Sequence, residues 1–378
     1  MKTTAANAMQ RICGRKIRRP ANVPYVRHGV PTAASRNDKA NWRRSLSDLL
    51  NRPARTVIGP LKKDGILPEW SGETCPRCHV GTLGPLKKYL PKNGGWAHRR
   101  GHDACRRHVV PHAFHPIFAV GTGQSRVSST GQAPILFVAV SGCSQNQARK
   151  LLKHNRKTTQ RIYSSLRAAR AKNVSIYEKK IKFGKPVNWA DVEADEVDLA
   201  KTEPIQWDQW GGIAQRGAPK SLALFKLKPE RAKRRAPGPG PIRKRDWAPL
   251  AEKWLKNRAV VLHADGAKSY RVKVDGAKHD WVVHMKKKIR LAGKWVWLKP
   301  AYVKTRYRNV PGEGDPKKTK KLWVRSGTQI IDGIWGRLRT FIGKQKQAGS
   351  RALTHEIRSF QWCQWHRGCR FKAERVPS

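Results

Sequence analysis

Residues 260–284 read VVLHADGAKSYRVKVDGAKHDWVVH, and the step Asp-Gly-Ala-Lys occurs twice in them, at Asp265 and at Asp275. The two copies sit in different surroundings. Asp265 follows AVVLHA, an unbroken apolar run of the kind that forms a strand buried on both faces. An acid at the carboxyl end of such a strand points into the crevice where α/β sheets bind their ligands. Asp275 follows YRVKV, whose alternation of apolar and basic residues predicts a half-exposed strand. Asp-Gly then predicts a hairpin that returns through WVVH. Asp265 is therefore the candidate for chemistry, and Asp275 is a turn residue.

Around this stretch, residues 191–285 alternate short apolar runs with turn signals and predict strands. Asp191, Glu193, Asp195, Glu196, Asp198 and Glu203 crowd into one segment of a chain that is poor in acids. Carboxylates packed together repel unless a cation sits among them. The other reading is a negative patch that holds a neighbouring basic segment, and the sequence leaves both open. IQWDQWGGIAQR and SLALFKLKP predict two strands joined by GAPK, and KRRAPGPGPIRKRD predicts a linker. DWAPLAEKWLKNR predicts an amphipathic helix capped by Asp246, with Ala248, Leu250, Ala251, Trp254 and Leu255 on its apolar face. After Pro311 the chain is Lys-rich and loop-like. SGTQIIDGIWGRLRTFIGK then carries a helical stripe of Ile330, Ile331, Ile334, Trp335, Leu338, Phe341 and Ile342. Asp332 lies at the edge of that stripe with Arg339 two turns on. It is either a third functional acid or a helix-start acid balancing the macrodipole.

Nearer the amino end, Cys75-Pro-Arg-Cys78 forms a C-x-x-C step. Two thiolates at that spacing make a knuckle that grips zinc from one side. WAHRRGHDACRRH offers the second pair, with Cys105 and one of His98, His102 or His108. His102-x-x-Cys105 repeats the first spacing and suits a zinc ribbon. A redox role would need a β-α-β context that is absent. Next, APILFVAVSGCSQNQARKLLKHNRKTTQRIYSSLRAAR predicts three helices over about 132–172. Ser144 caps the second, whose buried face is Ala148, Leu151 and Leu152, and Asn155 makes the following turn. The third helix carries Ile162, Tyr163 and Leu166 inward and Lys157, Gln160, Arg161, Arg167 and Arg170 outward. That pattern fits a helix-turn-helix docked on DNA, against the plainer reading of a linker with a solvated basic face.

Composition sets the partner class. The chain has 80 Lys and Arg against 25 Asp and Glu, a net charge of +55 over 378 residues. Such a field calls for an anionic partner, and nucleic acid supplies one by counterion release. No apolar run approaches the roughly 18 residues of a membrane span. Seven cysteines at uneven spacing do not form a secreted disulfide framework. The first stretch has no acid before Asp38 and resembles an organellar transit peptide, although a basic arm for DNA is the preferred reading. NWRRSLSDLLNR predicts a helix within that region.

Taken in order, ADEVDLA, LHADGAKSY, WVVH and GTQIIDGIWGRLR resemble the DDE transposases of insertion sequences, in the ISXO-type subgroup. That subgroup shows an Asp-Glu step on its first strand, a strand ending in Asp-Gly, a Val-x-His step and a Thr-Asn-x-x-Glu-x-x-Trp helix. The resemblance covers about residues 70 to 370. It implies a multidomain α/β chain with an RNase H-like core preceded by a zinc ribbon and a helix-turn-helix. It places Asp195, Asp265 and Asp332 at three metal-ligand positions for Mg²⁺ or Mn²⁺, and His284 at the Val-x-His step. Zinc would be held by Cys75, Cys78, His102 and Cys105. Lys157, Gln160, Arg161, Arg167, Arg337 and Arg339 would face DNA. Two positions depart from the pattern, Gln329 for Asn and Asp332 for Glu, and the latter carboxylate is shorter by one C–C bond, about 1.5 Å.

The expected layout is a basic arm over 1–66, a zinc-ribbon-like segment over 67–128 and a helix-turn-helix over 129–175. A catalytic domain follows over 186–345 with a linker at 235–245, then a helix and a Trp-rich tail over 346–378. The expected function is transposition, in which DNA is cut and joined by two-metal phosphoryl transfer and the chain oligomerises on its DNA. The alternatives are an inactive or domesticated DNA-binding derivative and a structural RNA-binding protein. The expected location is the nucleus of a eukaryote or the cytoplasm and nucleoid of a bacterium, with an organelle as the further alternative.

Overall fold

The structure, a computed structural model, describes residues 44–50, 52–76, 78–90, 95–100, 105, 108–121, 127–186, 188–202, 206–228, 232, 236, 238–282, 287–291, 293–298, 301–312, 319–343 and 349–366. The acid-free first stretch, His102, Glu203 and His284 lie outside these residues.

Where it is described, the segment expected to be a helix over 41–52 makes turns, and the first helix, α1 (Ala54–Lys63), starts just after it. Residues expected in a basic arm thus bury Val57, Ile58 and Leu61. These pack with Ile135, Leu136 and Val138 of α2 (Ser129–Val140). Helix α3 (Gln145–Leu152) opens on the expected Ser144 cap, which forms a full capping box with Gln147. Helix α4 (Arg156–Tyr177) opens on Asn155, whose side chain accepts from the Lys157 N–H. One expectation fails here: Leu151 is exposed. Helix α3 is only eight residues long, and Ala148 and Leu152 are its inward positions. Between α1 and α2 lies an antiparallel sheet, β1 (Leu83–Leu90), β2 (Gly95–Arg100) and β3 (His108–Val109).

The second half is built on a mixed sheet of five strands. They are β4 (Ala190–Thr202), β5 (Gln206–Gln215), β6 (Ala223–Lys226), β7 (Val260–Ala264) and β8 (Ala277–Trp281), in the order β6-β5-β4-β7-β8. β4, β5 and β6 pair antiparallel, whereas β4, β7 and β8 run parallel. Helix α5 (Lys244–Leu255) makes the crossover from β6 to β7 and covers one face. Helices α6 (Gln329–Ile342) and α7 (Arg351–Trp365) cover the other. The chain is therefore mixed α/β. β7 is buried at every position, as its apolar run requires. Among the described residues no helix is long and apolar enough to cross a membrane.

Three local expectations are corrected. YRVKV is not a strand: Lys268–Arg271 forms a 3-10 turn, and β8 returns parallel to β7 rather than as a hairpin. Asp275-Gly276 is still a turn, with Gly276 at φ +79° and a Cβ there meeting the Arg258 backbone N at 2.6 Å. Asp246 does not cap α5. Arg243 is the cap residue, and Asp246 sits in the first turn and accepts from its guanidinium. The segment after Pro311 is not all loop, because β11 (Lys304–Pro311) pairs with β12 (Thr319–Ser326). Another hairpin, β9 (Lys287–Leu291) and β10 (Lys294–Leu298), precedes it.

The hairpin of β11 and β12 is tied to the sheet through a buried charge network. His263 of β7 has Nε2 2.9 Å from Asp191 of β4 and Nδ1 3.1 Å from Asp280 of β8. Asp280 also accepts from Arg308 of β11 at 2.9 Å. Its carboxyl is held far below the ordinary aspartate range by the His263, Ser326 and Arg308 donors, which outweigh its burial.

Candidate functional site

The candidate site lies where β4, the carboxyl end of β7 and the amino end of α6 meet. β4 alternates, so Asp195 faces the α6 side with Val197, and Glu196 faces the α5 side with Val192 and Ala194. The cross-strand partners of this acidic pair are both glycines: Asp195 lies opposite Gly212, and Glu196 opposite Gly211. Their missing side chains leave room that large rings fill. A Cβ on Gly212 would lie 2.6 Å from the Trp335 ring, and one on Gly211 would lie 2.2 Å from Phe225. Trp335 of α6 thereby lies against the sheet, and its Nε1 donates to Asp195 Oδ2 at 3.0 Å.

Asp265 follows β7 directly, half-buried, and its Oδ1 accepts from the Ala267 N–H at 2.8 Å. Asp332 stands in the first turn of α6, exposed, with the Thr328 hydroxyl donating to its Oδ2 at 3.1 Å. The start of α6 is fixed from below. Glu193, fully buried on β4, accepts from the Ile330 and Ile331 N–H groups at 2.8 and 3.0 Å and from Arg216 at 2.7 Å. Arg216 in turn donates to the carbonyls of Arg325 and Gly327, just ahead of α6.

The acids act on one another. Burial first, then the charges of Glu196, Asp332 and Asp265, hold the Asp195 carboxyl well above the ordinary aspartate range. Glu196 is raised by burial, against the lowering pull of the Tyr270 hydroxyl and the Ile242 N–H, which donate to it at 2.6 and 3.0 Å. Tyr270, completely buried beneath this group, is pushed well above the ordinary phenol range by burial and by Glu196, Asp195 and Asp265. Like-charged groups this close form a well that a cation would neutralise, so the donor set fits a hard, oxygen-seeking metal ion. The ligand oxygens of Asp195, Asp265 and Asp332 do not all lie within 4.8 Å of one another. That spread is wide for one ion.

The five described acids of the cluster divide. Asp191 and Glu193 are ion-pair partners of His263 and Arg216. Asp195, Glu196 and Asp198 lie towards the well, and Asp198 feels Arg339. Arg216, Tyr270 and the two glycines carried no clear signal beforehand, whereas Glu193 was one of the clustered acids and takes the alternative role of holding a basic group. Only Gly-Gly inside a strand pattern hints at a close approach. The expected linker also contributes, since Ile242 is a buried core residue and donates to Glu196.

Of the residues expected to face DNA, Lys157, Gln160 and Arg161 are exposed on the first turns of α4. Arg167 is not freely presented: it pairs with Glu356 of α7 at 3.4 Å. Arg170 stacks on Trp362 at 4.7 Å and is spent on the same junction. Arg339 is exposed, whereas Arg337 is half-buried.

A second centre lies in the first half. The sulfurs of Cys75, Cys78 and Cys105 lie within 4.8 Å of one another, and among the described residues no other group of three or more such ligands is as close. The knuckle is shaped by the Cys75 N–H donating to Gly81 O at 2.7 Å and by His79 at φ +56°. The Val80 N–H, followed by the Cys75 and Cys105 thiols, brings the Cys78 thiol down to about 7. Three thiolates this close fit a zinc ion. Neither His98 nor His108 joins them, and His98 instead has Nδ1 2.9 Å from the Gly84 carbonyl.

Comparison with known protein families and with curated proteins gives no match. Among solved structures, the crystal structure of a pre-cleavage Mos1 transpososome is similar over 43% of this chain and 61% of that one, at 8% identity and a TM-score of 0.15. This chain thus spans less than two thirds of that chain, and a likeness at that score supports no statement about fold or function.

Proposed function

We propose that the chain is a DDE-type polynucleotidyl transferase, a transposase that cuts and joins DNA, with Asp195, Asp265 and Asp332 as its metal ligands. The observation that carries this reading is that Asp195 on β4 lies within the electrostatic reach of both Asp265, at the end of β7, and Asp332, at the start of α6. The element order supports an RNase H-like core: three antiparallel strands, a helix, two parallel strands and a late helix that brings the third acid. The three cysteines support a zinc ribbon ahead of it, and the net charge of +55 supports DNA as partner.

A pair of divalent cations bound there would activate water or a DNA 3′-hydroxyl and stabilise the leaving oxygen at phosphorus. The protein's own part is positional. Trp335 orients Asp195, the Ala267 N–H orients Asp265, and Thr328 orients Asp332. Glu193 and Arg216 fix the helix on which Asp332 stands. The basic surface of α4 holds the duplex, with Lys157, Gln160 and Arg161 towards the grooves.

The second reading is a DNA-binding derivative without the chemistry, and the short, exposed Asp332 favours it. Nicking of a DNA bearing the element's ends, with and without Mg²⁺ or Mn²⁺, separates the two. The transposase reading expects metal-dependent nicking by the wild type, lost in Asp265→Asn. Binding without nicking under both metals supports the second.

A further inference from the structure

The hairpin of β9 and β10 presents a face that the metal-site reading does not use. In its register, Trp295 lies opposite Arg290, Val296 opposite Ile289, and Trp297 opposite Lys288. Alternation puts both tryptophans and both cations on one face and the two aliphatic residues on the other. The tryptophans are 60% and 61% exposed. Lys288 Nζ stands 5.3 Å from the Trp295 ring centre and 5.8 Å from that of Trp297, so one ammonium bridges two open π faces. No acid occurs in the sequence between Asp280 and Glu313.

We infer that this face binds single-stranded nucleic acid, with an unpaired base stacked on Trp295 and Trp297 and its phosphates on Lys288 and Arg290. Residues two apart on a strand lie about 6.8 Å apart, twice the roughly 3.4 Å repeat of a nucleic-acid strand. The attachment points of the two rings are thus spaced to take one flat base between them once the rings turn parallel, in place of the Lys288 ammonium that stands over both. The ammonium then moves outward to the backbone phosphate. A duplex hides its π faces in the stack, so it gains only the charge contacts. An apolar protein partner would leave Lys288 and Arg290 uncompensated, and an acidic peptide would leave two rings without a stacking group. The inference does not depend on the three acids.

The test is fluorescence anisotropy with three labelled probes of equal length: oligothymidylate of about 15 nucleotides, within the span of one such groove, the same strand made abasic, and a duplex. The full chain is compared with Trp295→Ala/Trp297→Ala and with Trp295→Phe/Trp297→Phe, in metal-free buffer so that no cleavage enters. The wild type is expected to prefer oligothymidylate over the abasic strand by at least about tenfold, since stacking on an aromatic ring is worth that much per base. The Ala pair is expected to lose that preference with abasic and duplex binding unchanged, and the Phe pair to keep most of it. Absence of the preference in the wild type, its retention in the Ala pair, or equal weakening on all three probes would overturn the assignment.

Discussion

At the scale of single residues, the two Asp-Gly-Ala-Lys steps differ in what lies behind them. Asp265 ends a strand buried throughout, within the field of Asp195 and Glu196, whereas Asp275 is exposed at a turn. Asp265→Asn keeps the shape and removes the charge, so strand cleavage should fall at least about a hundredfold, the order lost with a group that acts only in the transition state, while DNA binding survives. Asp275→Asn should leave cleavage unchanged, because Asn-Gly makes the same turn. Asp332→Glu should keep or raise activity if the longer side chain suits the site. Asp195 gives a pH test. Its carboxyl is raised in the folded chain, so the folded state holds the proton more tightly than the unfolded state does. The Asp195 contribution to metal-free stability should therefore be lowest at neutral pH and rise as pH falls through the raised range, levelling off below the ordinary aspartate value, whereas His112, His115 and His279, lowered to about 4 by burial, act in the opposite sense over the same range. The difference in thermal melts between the wild type and Asp195→Asn, followed from neutral pH to pH ~4, isolates that sign. Asp195→Asn should melt higher than the wild type at neutral pH and lose that pH dependence. The glycine opposite Asp195 is a packing test: Gly212→Ala drives a methyl into the Trp335 ring and should cost about 1–3 kcal/mol, as overpacking does.

At the scale of elements, the site depends on the start of α6. Glu193 and Arg216 are both almost fully buried and form a single ion pair beneath it. Glu193→Ala leaves Arg216 uncompensated, and a loss of about 3–5 kcal/mol is expected in denaturant melts. The cysteine knuckle should hold about one zinc per chain by metal analysis, by the ligand count of structural sites. A metal-free protein with unchanged folding and DNA binding would speak against it. The element scale also shows what a sequence can and cannot reveal. β7 was legible because of its unbroken apolar run, and the α3 cap was legible because Ser144 bonds a backbone N–H three residues on, whereas Asn155, expected only as a turn residue, also caps α4. YRVKV misled because alternation reports which side chains are buried, not how the backbone pairs. Tyr270 and Val274 are indeed buried, yet on a 3-10 turn and its exit. Glu193 was legible as a clustered acid, but its partner Arg216 was not, because the two are 23 positions apart and only the sheet brings them together. The same holds for Arg167 of α4 and Glu356 of α7, which turn an expected DNA contact into a junction between helices.

At the scale of the whole molecule, a chain of net charge +55 concentrates part of its small stock of acids in one well. The surrounding surface attracts phosphate, and the well repels it until cations are bound. DNA affinity should thus fall steeply and log-linearly with salt. A flat response would point instead to an apolar protein partner. The overall architecture was legible as an order of elements, strands, crossover helix, central strand and late helix, because hydrophobic pattern and turn residues mark each in turn. The proposed convergence of Asp265 and Asp332 on Asp195 was implied only by the resemblance, since it depends on the angle at which α6 meets the sheet, set by Trp335 on Gly212 and by Glu193. That convergence is the centre of the account, and Mn²⁺ binding followed by electron paramagnetic resonance on the full chain measures it without any assumption about the DNA sequence. The wild type and Asp275→Asn should bind Mn²⁺ alike, and Asp195→Asn, Asp265→Asn and Asp332→Asn should each weaken that binding. Undiminished Mn²⁺ binding by Asp265→Asn would contradict the three-acid site.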